Sequence, residues 1–244
     1  MKRIPNRTHR KAAANGRSGG YTLLELLIVL VILVAVTGAV FEQINGMQKK
    51  AGSEAMKLDM NQQAREFLDQ TVRDLHMAGY PGASMYSNPL LHPSQVAAGL
   101  VRVSPTEILL EGDVNNDGNV YSVDIAYVAN DPNDPNCPCI RRSAQAKVDA
   151  DSFSQPSNPN YTETQRVFPP GAGAGQSGES LFAYYDQNGN AIDVGTGVDL
   201  HTAPGMIAAI KTVKINLSLL TNQRDPASGG FISTSMSATS RLNQ

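Results

Sequence analysis

Residues 19–41 read GGYTLLELLIVLVILVAVTGAVF, and this stretch determines how the rest of the chain is arranged. Within it, the only charged residue is Glu25. A helix of about 21 residues, rising about 1.5 Å per residue, spans the roughly 30 Å hydrocarbon core of a bilayer. We therefore predict a transmembrane helix segment over residues 21–41.

The first twenty residues are basic and contain no acid. They hold six of the 20 Lys and Arg residues and none of the 22 Asp and Glu residues, so the formal charge beyond Gly20 is −8. Basic segments next to a membrane helix stay on the cytoplasmic side. The pattern predicts a single pass through a membrane with the C-terminal part outside the cytoplasm. The negative charge of that part argues against nucleic acid as a partner.

Three interpretations compete for the apolar run. An uncleaved signal anchor explains everything except Glu25, which costs roughly 2.5 to 3.5 kcal/mol near the bilayer centre. A cleaved secretory signal is indicated by the small residues at 37–39, after which the mature chain would begin at Val40. The third interpretation rests on the junction between Gly20 and Tyr21 and on the acid four residues beyond it.

This junction resembles the prepilin N-terminal motif. In that motif a glycine precedes the cut, an aromatic residue becomes the new N-terminus, and a glutamate stands fifth in the mature chain. The matching residues here are Gly20, Tyr21 and Glu25. The resemblance implies that prepilin peptidase removes residues 1–20 as a leader and N-methylates Tyr21. It also implies that the chain assembles with other pilins into a filament.

The chemistry of such a cut favours a charge pair between Tyr21 and Glu25. Cleavage after Gly20 creates an ammonium group on Tyr21 in apolar surroundings, where an unpaired charge is costly. Glu25 can neutralise it from position i+4 of the same helix, or from a neighbouring subunit. The intersubunit pair would also set the axial register of a filament, because an unpaired subunit leaves two charges buried.

An amphipathic pattern continues the helix over residues 42–79, where no proline occurs. Apolar and small residues recur there at helical spacing. This stripe comprises Met60, Ala64, Phe67, Leu68, Thr71, Leu75 and Ala78. Gly79 and Pro81 predict the helix end. We expect one helix from Tyr21 to Ala78, whose stripe docks on a globular head.

The remaining residues, 80–244, predict a β-rich periplasmic head. Strand patterns occur at 100–103, 106–111, 120–128, 140–148, 181–185, 211–220 and 231–240. Residues 149–180 are rich in Ser, Asn, Pro and Gly and predict a long loop. An antiparallel sheet packed against the helix stripe gives an α+β, pilin-like fold.

Four segments of the chain extend the resemblance to the PilW/PulJ branch of minor pilins and pseudopilins. They are RDLHMAGY at 73–80, GDVNNDG at 112–118, YYDQNG at 184–189 and IKTVKI at 210–215. The resemblance implies a tip or priming subunit of a type IV pilus or a type II secretion-like filament. The alternative is an uncleaved, membrane-anchored extracytoplasmic binding module whose helix never leaves the bilayer.

The segment 113–124 carries the oxygen-bearing residues of an EF-hand-like calcium loop. Its candidate ligands are Asp113, Asn115, Asp117, Asn119 and Asp124, with Gly118 at the sixth position. An EF-hand loop is flanked by helices, whereas both flanks here have strand patterns. The same residues also suit an ordinary hairpin turn, so calcium and a structural turn are both open.

The two cysteines, Cys137 and Cys139, are separated by one proline. A local disulfide, two free thiols and part of a metal site all remain open for them. The four histidines are scattered without ligand spacing. The chain has no nucleophile elbow, zinc-protease helix or phosphate-binding glycine loop, so we predict no enzyme activity.

Overall fold

The computed structural model describes residues 20–135, 137–155, 161–167 and 180–243. The chain divides into two compact units, Met1–Gln48 and Lys49–Gln244. Helix α1, Leu23–Met77, begins in the first unit and provides the first element of the second. The prediction of a long N-terminal helix is confirmed, while the predicted leader lies almost entirely outside the described residues.

In the second unit, α1 buries one face in the head. The predicted stripe is confirmed: its members Met60, Ala64, Phe67, Leu68, Thr71, Leu75 and Ala78 are all buried. Asp74 is also buried, and the stripe pattern did not include it. The burial of this face shows that tertiary packing stabilises this part of the helix.

Helix α1 ends one residue earlier than predicted, at Met77. Gly79 has a φ of +83°, a conformation that glycine adopts without steric cost. Its N–H donates to the carbonyl oxygen of Glu111 at 2.9 Å, so the chain turns directly into the head. The glycine therefore both stops the helix and ties its end to a strand.

The head contains ten strands, one short α-helix and two 3-10 helices, Ala83–Met85 and Pro89–Leu91, among the described residues. In chain order the strands and the α-helix are β1 (Gly99–Val103), β2 (Glu107–Gly112), β3 (Tyr121–Val128), β4 (Cys139–Ala146), β5 (Tyr161–Gln165), β6 (Phe182–Tyr185), β7 (Ala191–Ile192), β8 (Val198–Asp199), α2 (Pro204–Ala209), β9 (Thr212–Leu220) and β10 (Ser233–Arg241).

These strands form two antiparallel sheets instead of the single sheet that the sequence predicts. One has the order β5-β4-β3-β2-β1-β8 and the other the order β10-β9-β6-β7. An isolated bridge between Val167 and Leu219 links them. Side chains from α1, α2 and both sheets form one buried apolar cluster, which confirms the predicted α+β fold.

Strand β5 lies inside the segment predicted to be a loop. Its residues, YTETQ, have no alternating apolar pattern, and only Thr164 among them is buried. It forms because its backbone pairs with β4, in a register that joins Cys139 to Gln165. Such pairing at a sheet edge depends on the neighbouring strand and leaves little trace in the sequence of β5 itself.

Gly112 marks the closest approach between the head and α1. A Cβ atom at this position would lie 2.3 Å from the carbonyl oxygen of Met77, which is backbone and cannot swing away. Ala78 forms a β-bridge with Gly112 at the same point. Only glycine therefore fits between β2 and the end of the helix.

We expect Gly112→Ala to lower the stability of the folded head by about 1–3 kcal/mol, because the new methyl group must displace backbone. Thermal unfolding of the full-length protein in detergent measures the effect. Gly205→Ala is the matched control, since a Cβ at Gly205 meets no atom within 4 Å. Equal melting temperatures for the two variants would contradict the close packing.

Candidate assembly site

The N-terminal helix begins on a threonine cap. The Thr22 hydroxyl accepts a hydrogen bond from the N–H of Glu25 at 3.3 Å. The Thr22 carbonyl accepts one from the N–H of Leu26 at 3.2 Å. Because these are the bonds of an N-cap residue, Gly20 and Tyr21 lie before the helix and Glu25 lies in its first turn.

This start differs from the predicted helix, which includes Tyr21. An i,i+4 pair requires helical backbone at both positions, and Tyr21 is outside α1. The intrachain form of the predicted Tyr21–Glu25 pair therefore lacks the helical geometry that it needs. The form between neighbouring subunits does not depend on this geometry.

The first unit presents a continuous apolar surface. Every large apolar side chain from Leu23 to Phe41 is at least 48% exposed. The helix contains an 18-residue window with a mean hydropathy of 2.9, and none of that window is buried. By length and composition the helix can cross a membrane. Apolar surface of this extent needs lipid or other protein to cover it.

In the head, α1 is fixed to the six-stranded sheet by a buried ion pair. Asp74 accepts two hydrogen bonds from Arg142 of β4, at 2.8 Å from Nε and 3.1 Å from Nη2. Gln70 donates a third bond to the Asp74 carboxylate at 2.9 Å. Burial nevertheless raises the pKa of Asp74, against the opposing effect of Arg142. The pair orients the helix on the sheet, and removing either partner would leave a buried charge.

A second buried ion pair fixes the loop that follows α1. The Nζ atom of Lys147 lies 2.6 Å from Oε2 of Glu111, and both side chains are almost fully buried. The same ammonium donates to the carbonyl of Val96 at 2.9 Å. The Ala98 N–H donates to Glu111 at 2.9 Å. This pair thus joins β2, the end of β4 and the segment before β1.

The calcium-loop residues form a hydrogen-bonded turn. The buried Asp113 carboxylate accepts the N–H groups of Asp117 and Gly118 at 3.0 and 2.9 Å. Asp117 in turn accepts the Asn119 N–H at 2.9 Å and the Tyr121 hydroxyl at 2.7 Å. The Tyr121 hydroxyl lowers the pKa of Asp117. Both carboxylates therefore already have donors within the turn.

Asp124 is not near Asp113 in the sheet. It is paired in register with Leu109, four residues before Asp113, which corresponds to about 13 Å along a strand. Its neighbours Val123 and Ile125 belong to the core, so its side chain points to the opposite face of the sheet. The structure thus separates Asp124 from the other four candidate ligands. Calcium binding by Asp113, Asn115, Asp117 and Asn119 stays a prediction.

The turn bonds predict that Asp113→Ala lowers stability by about 1–3 kcal/mol, because two backbone N–H groups lose their acceptor. Thermal unfolding with excess calcium and with a chelator tests this expectation. The turn bonds alone predict the same loss in both conditions. A loss of stability that occurs only with calcium would show that Asp113 stabilises the head by binding the ion and not through the hydrogen bonds of the turn.

The cysteines are joined in a disulfide, with an S–S distance of 2.02 Å. Cys139 opens β4 and is fully buried, while Cys137 is half-buried. Asp134 lies beside them, with Oδ2 4.0 Å from the Cys137 sulfur. Among the described residues, these three form the one group of acidic, Cys or His side chains with metal-ligand spacing.

Comparison with known proteins identifies the N-terminal segment. Residues 15–41 match the family model of the prokaryotic N-terminal methylation motif. No curated protein and no solved structure matches the chain. The matched region contains Gly20, Tyr21 and Glu25, together with the exposed apolar surface from Leu23 to Phe41.

The chain therefore carries a type IV pilin-like N-terminus. The motif implies processing by prepilin peptidase and assembly with other pilins, and it is typical of a structural subunit. The spacing of the glycine, the aromatic residue and the acid in the sequence predicts the residues of this N-terminus. No sequence pattern predicts the two buried ion pairs, Asp74–Arg142 and Glu111–Lys147. Their only local signal is Asp74, an acid inside the apolar stripe.

Proposed function

We propose that the protein is a minor pilin or pseudopilin. In this proposal prepilin peptidase cuts after Gly20 and methylates Tyr21, and the chain then moves from the inner membrane into a filament. The observation that carries the proposal is the exposed apolar helix surface, which coincides with the methylation motif. A surface that suits lipid before assembly also suits the helices of neighbouring subunits afterwards.

Glu25 acts in this proposal as the partner of a neighbouring subunit's Tyr21 amine. The helix N-terminus carries a partial positive charge, so a new ammonium group just before Thr22 is disfavoured until a carboxylate offsets it. Since Tyr21 lies outside α1, the carboxylate of another subunit can approach it without a helical constraint. A mismatched subunit would leave both charges unpaired in apolar surroundings, which selects the correct axial position.

The position in the filament is proposed on the resemblance of the segments at 73–80, 112–118, 184–189 and 210–215. That resemblance favours a tip or priming complex in a type IV pilus or a type II secretion-like machine. The membrane-inserted precursor would hold its head in the periplasm, as the basic leader favours. The buried Asp74–Arg142 pair supports a fixed packing of the C-terminal part of α1 on the sheet of the head.

The experiment is to express Glu25→Ala in the native host and to measure the amount of subunit in sheared filaments and in membranes. We expect normal membrane levels and at least a tenfold loss from filaments, because an unpaired buried charge costs about 3–5 kcal/mol. Glu42→Ala is the matched control, since Glu42 is an exposed acid of the same helix beyond the apolar run. Normal incorporation of Glu25→Ala would refute the charge pair.

A further inference from the structure

We propose that Asp134, Cys137 and Cys139 form a redox-gated site for a thiophilic divalent metal ion such as Zn²⁺. In the oxidised protein the two sulfurs are bonded to each other and exclude the ion. In the reduced protein two thiolates and the Asp134 carboxylate bind it. The site lies in the head and does not depend on the proposed function.

The geometry of the three ligand atoms carries the proposal. One carboxylate oxygen of Asp134 and the two sulfurs all lie within 4.8 Å of one another. Ligand atoms around a tetrahedral Zn²⁺ ion, at about 2.0–2.3 Å from the metal, are separated by roughly 3.5 Å. The proposal requires the two sulfurs to move apart to that spacing after reduction. Two sulfurs and one oxygen are also a donor set that Zn²⁺ accepts.

The surrounding residues hold the ligands in place. Cys139 is fixed in the sheet between Val128 of β3 and Gln165 of β5. The Thr162 hydroxyl donates to Oδ2 of Asp134 at 3.0 Å, and Arg141 lies 3.6 Å from the same oxygen. Hydrogen bonds of this kind orient a metal ligand. The half-buried Cys137 leaves one side of the group open for water as a fourth ligand.

A divalent cation compensates the negative charge that two thiolates and the Asp134 carboxylate bring together when they bind it. Arg141 offsets that charge only in part, because it also pairs with Asp131 at 2.5 Å.

A phosphine can reduce the Cys137–Cys139 disulfide to two thiols. Phosphorus attacks one sulfur and the S–S bond breaks, which transfers two electrons to the cysteines. Water then supplies an oxygen atom to the phosphine and a proton to each sulfur. Metal binding displaces those two protons, whereas Asp134 joins as a carboxylate.

The test uses the full-length protein in detergent, reduced with a phosphine and titrated with Co²⁺ as a spectroscopic substitute for Zn²⁺. We expect a thiolate-to-cobalt charge-transfer band that Zn²⁺ then abolishes. The oxidised protein, Cys137→Ser and Cys139→Ser should each show a markedly weaker band or none. Asp134→Asn should bind Co²⁺ at least about tenfold more weakly.

Asp193→Asn is the matched control, because Asp193 is an exposed carboxylate of the head that is not part of the ligand group. We expect its Co²⁺ affinity to equal that of the unmodified protein. Absence of the band from the reduced protein would overturn the proposal, and so would unchanged binding by Asp134→Asn. Loss of the β-sheet circular dichroism on reduction would also overturn it, since the site would then not survive reduction.

Discussion

Gly20→Ile is expected to leave the leader attached to the protein. A peptidase must bring its catalytic groups close to the scissile backbone, and glycine at the cut permits an approach that a β-branched side chain obstructs. The variant should still enter the membrane, because the apolar run and the basic leader are unchanged. We expect nearly all of it to keep residues 1–20, and filaments to contain little or none. Immunoblotting of membranes and sheared filaments measures both quantities.

Gly38→Ala is the matched control for this experiment. Gly38 lies within the apolar helix, and a Cβ there meets no atom within 4 Å. The control should be processed like the unmodified chain. Normal cleavage of Gly20→Ile would place the cut elsewhere, and it would remove the basis for assigning Tyr21 as the mature N-terminus.

Asp124→Asn is expected to stabilise the head at neutral pH and to leave it nearly unchanged at pH 4. The Asp124 side chain is 3% exposed, and its Oδ1 has no hydrogen-bond partner among the described residues. Burial, assisted by the negative charge of Glu107 and opposed by Arg102, raises the pKa of Asp124 to about 7. An aspartate in the unfolded chain has a pKa of about 3.9.

The direction of the effect follows from these two values. Well below pH 4 the carboxyl is protonated in both states, so it does not favour either one. Between pH 4 and pH 7 the unfolded chain releases the proton while the folded head retains it, and stability falls by up to about 4 kcal/mol. Asparagine has no proton to lose, so the variant should lack this decline.

Chemical unfolding of both proteins from pH 4 to pH 8 measures the difference. Asp69→Asn is the matched control, since Asp69 is an exposed carboxylate on α1. The control should follow the unmodified protein across this range. A constant difference in stability between Asp124→Asn and the unmodified protein at every pH would contradict a raised pKa for Asp124.

The sequence predicts the helix and the N-terminal motif well because both depend on local patterns. These patterns lie between neighbouring positions of the sequence: the length of the apolar run, the spacing of Glu25 from Tyr21, and the three- and four-residue spacing of the stripe from Met60 onward. The regular alternation in β9 likewise predicts its buried residues, from Val213 to Leu219. Both ends of α1 differ slightly from the prediction, because the Thr22 hydroxyl caps its start and Gly79 turns the chain just after its end at Met77.

The features that the sequence does not reveal depend on partners far away in the chain. The Asp74–Arg142 pair joins residues 68 positions apart. The sequence around either residue does not indicate its partner. The division into two sheets, and the pairing of β5 with β4, are likewise decided by tertiary contacts. The separation of Asp124 from Asp113 follows from the strand register, which the spacing of a calcium motif cannot supply.

The most direct test of the account is mass spectrometry of the mature N-terminus of the protein isolated from its native host. We predict a first peptide that begins at Tyr21, with one methyl group on its amine. A chain that still begins at Met1 would indicate an uncleaved membrane anchor, and a start at Val40 would indicate ordinary secretion. Either of those results would contradict the proposed filament subunit.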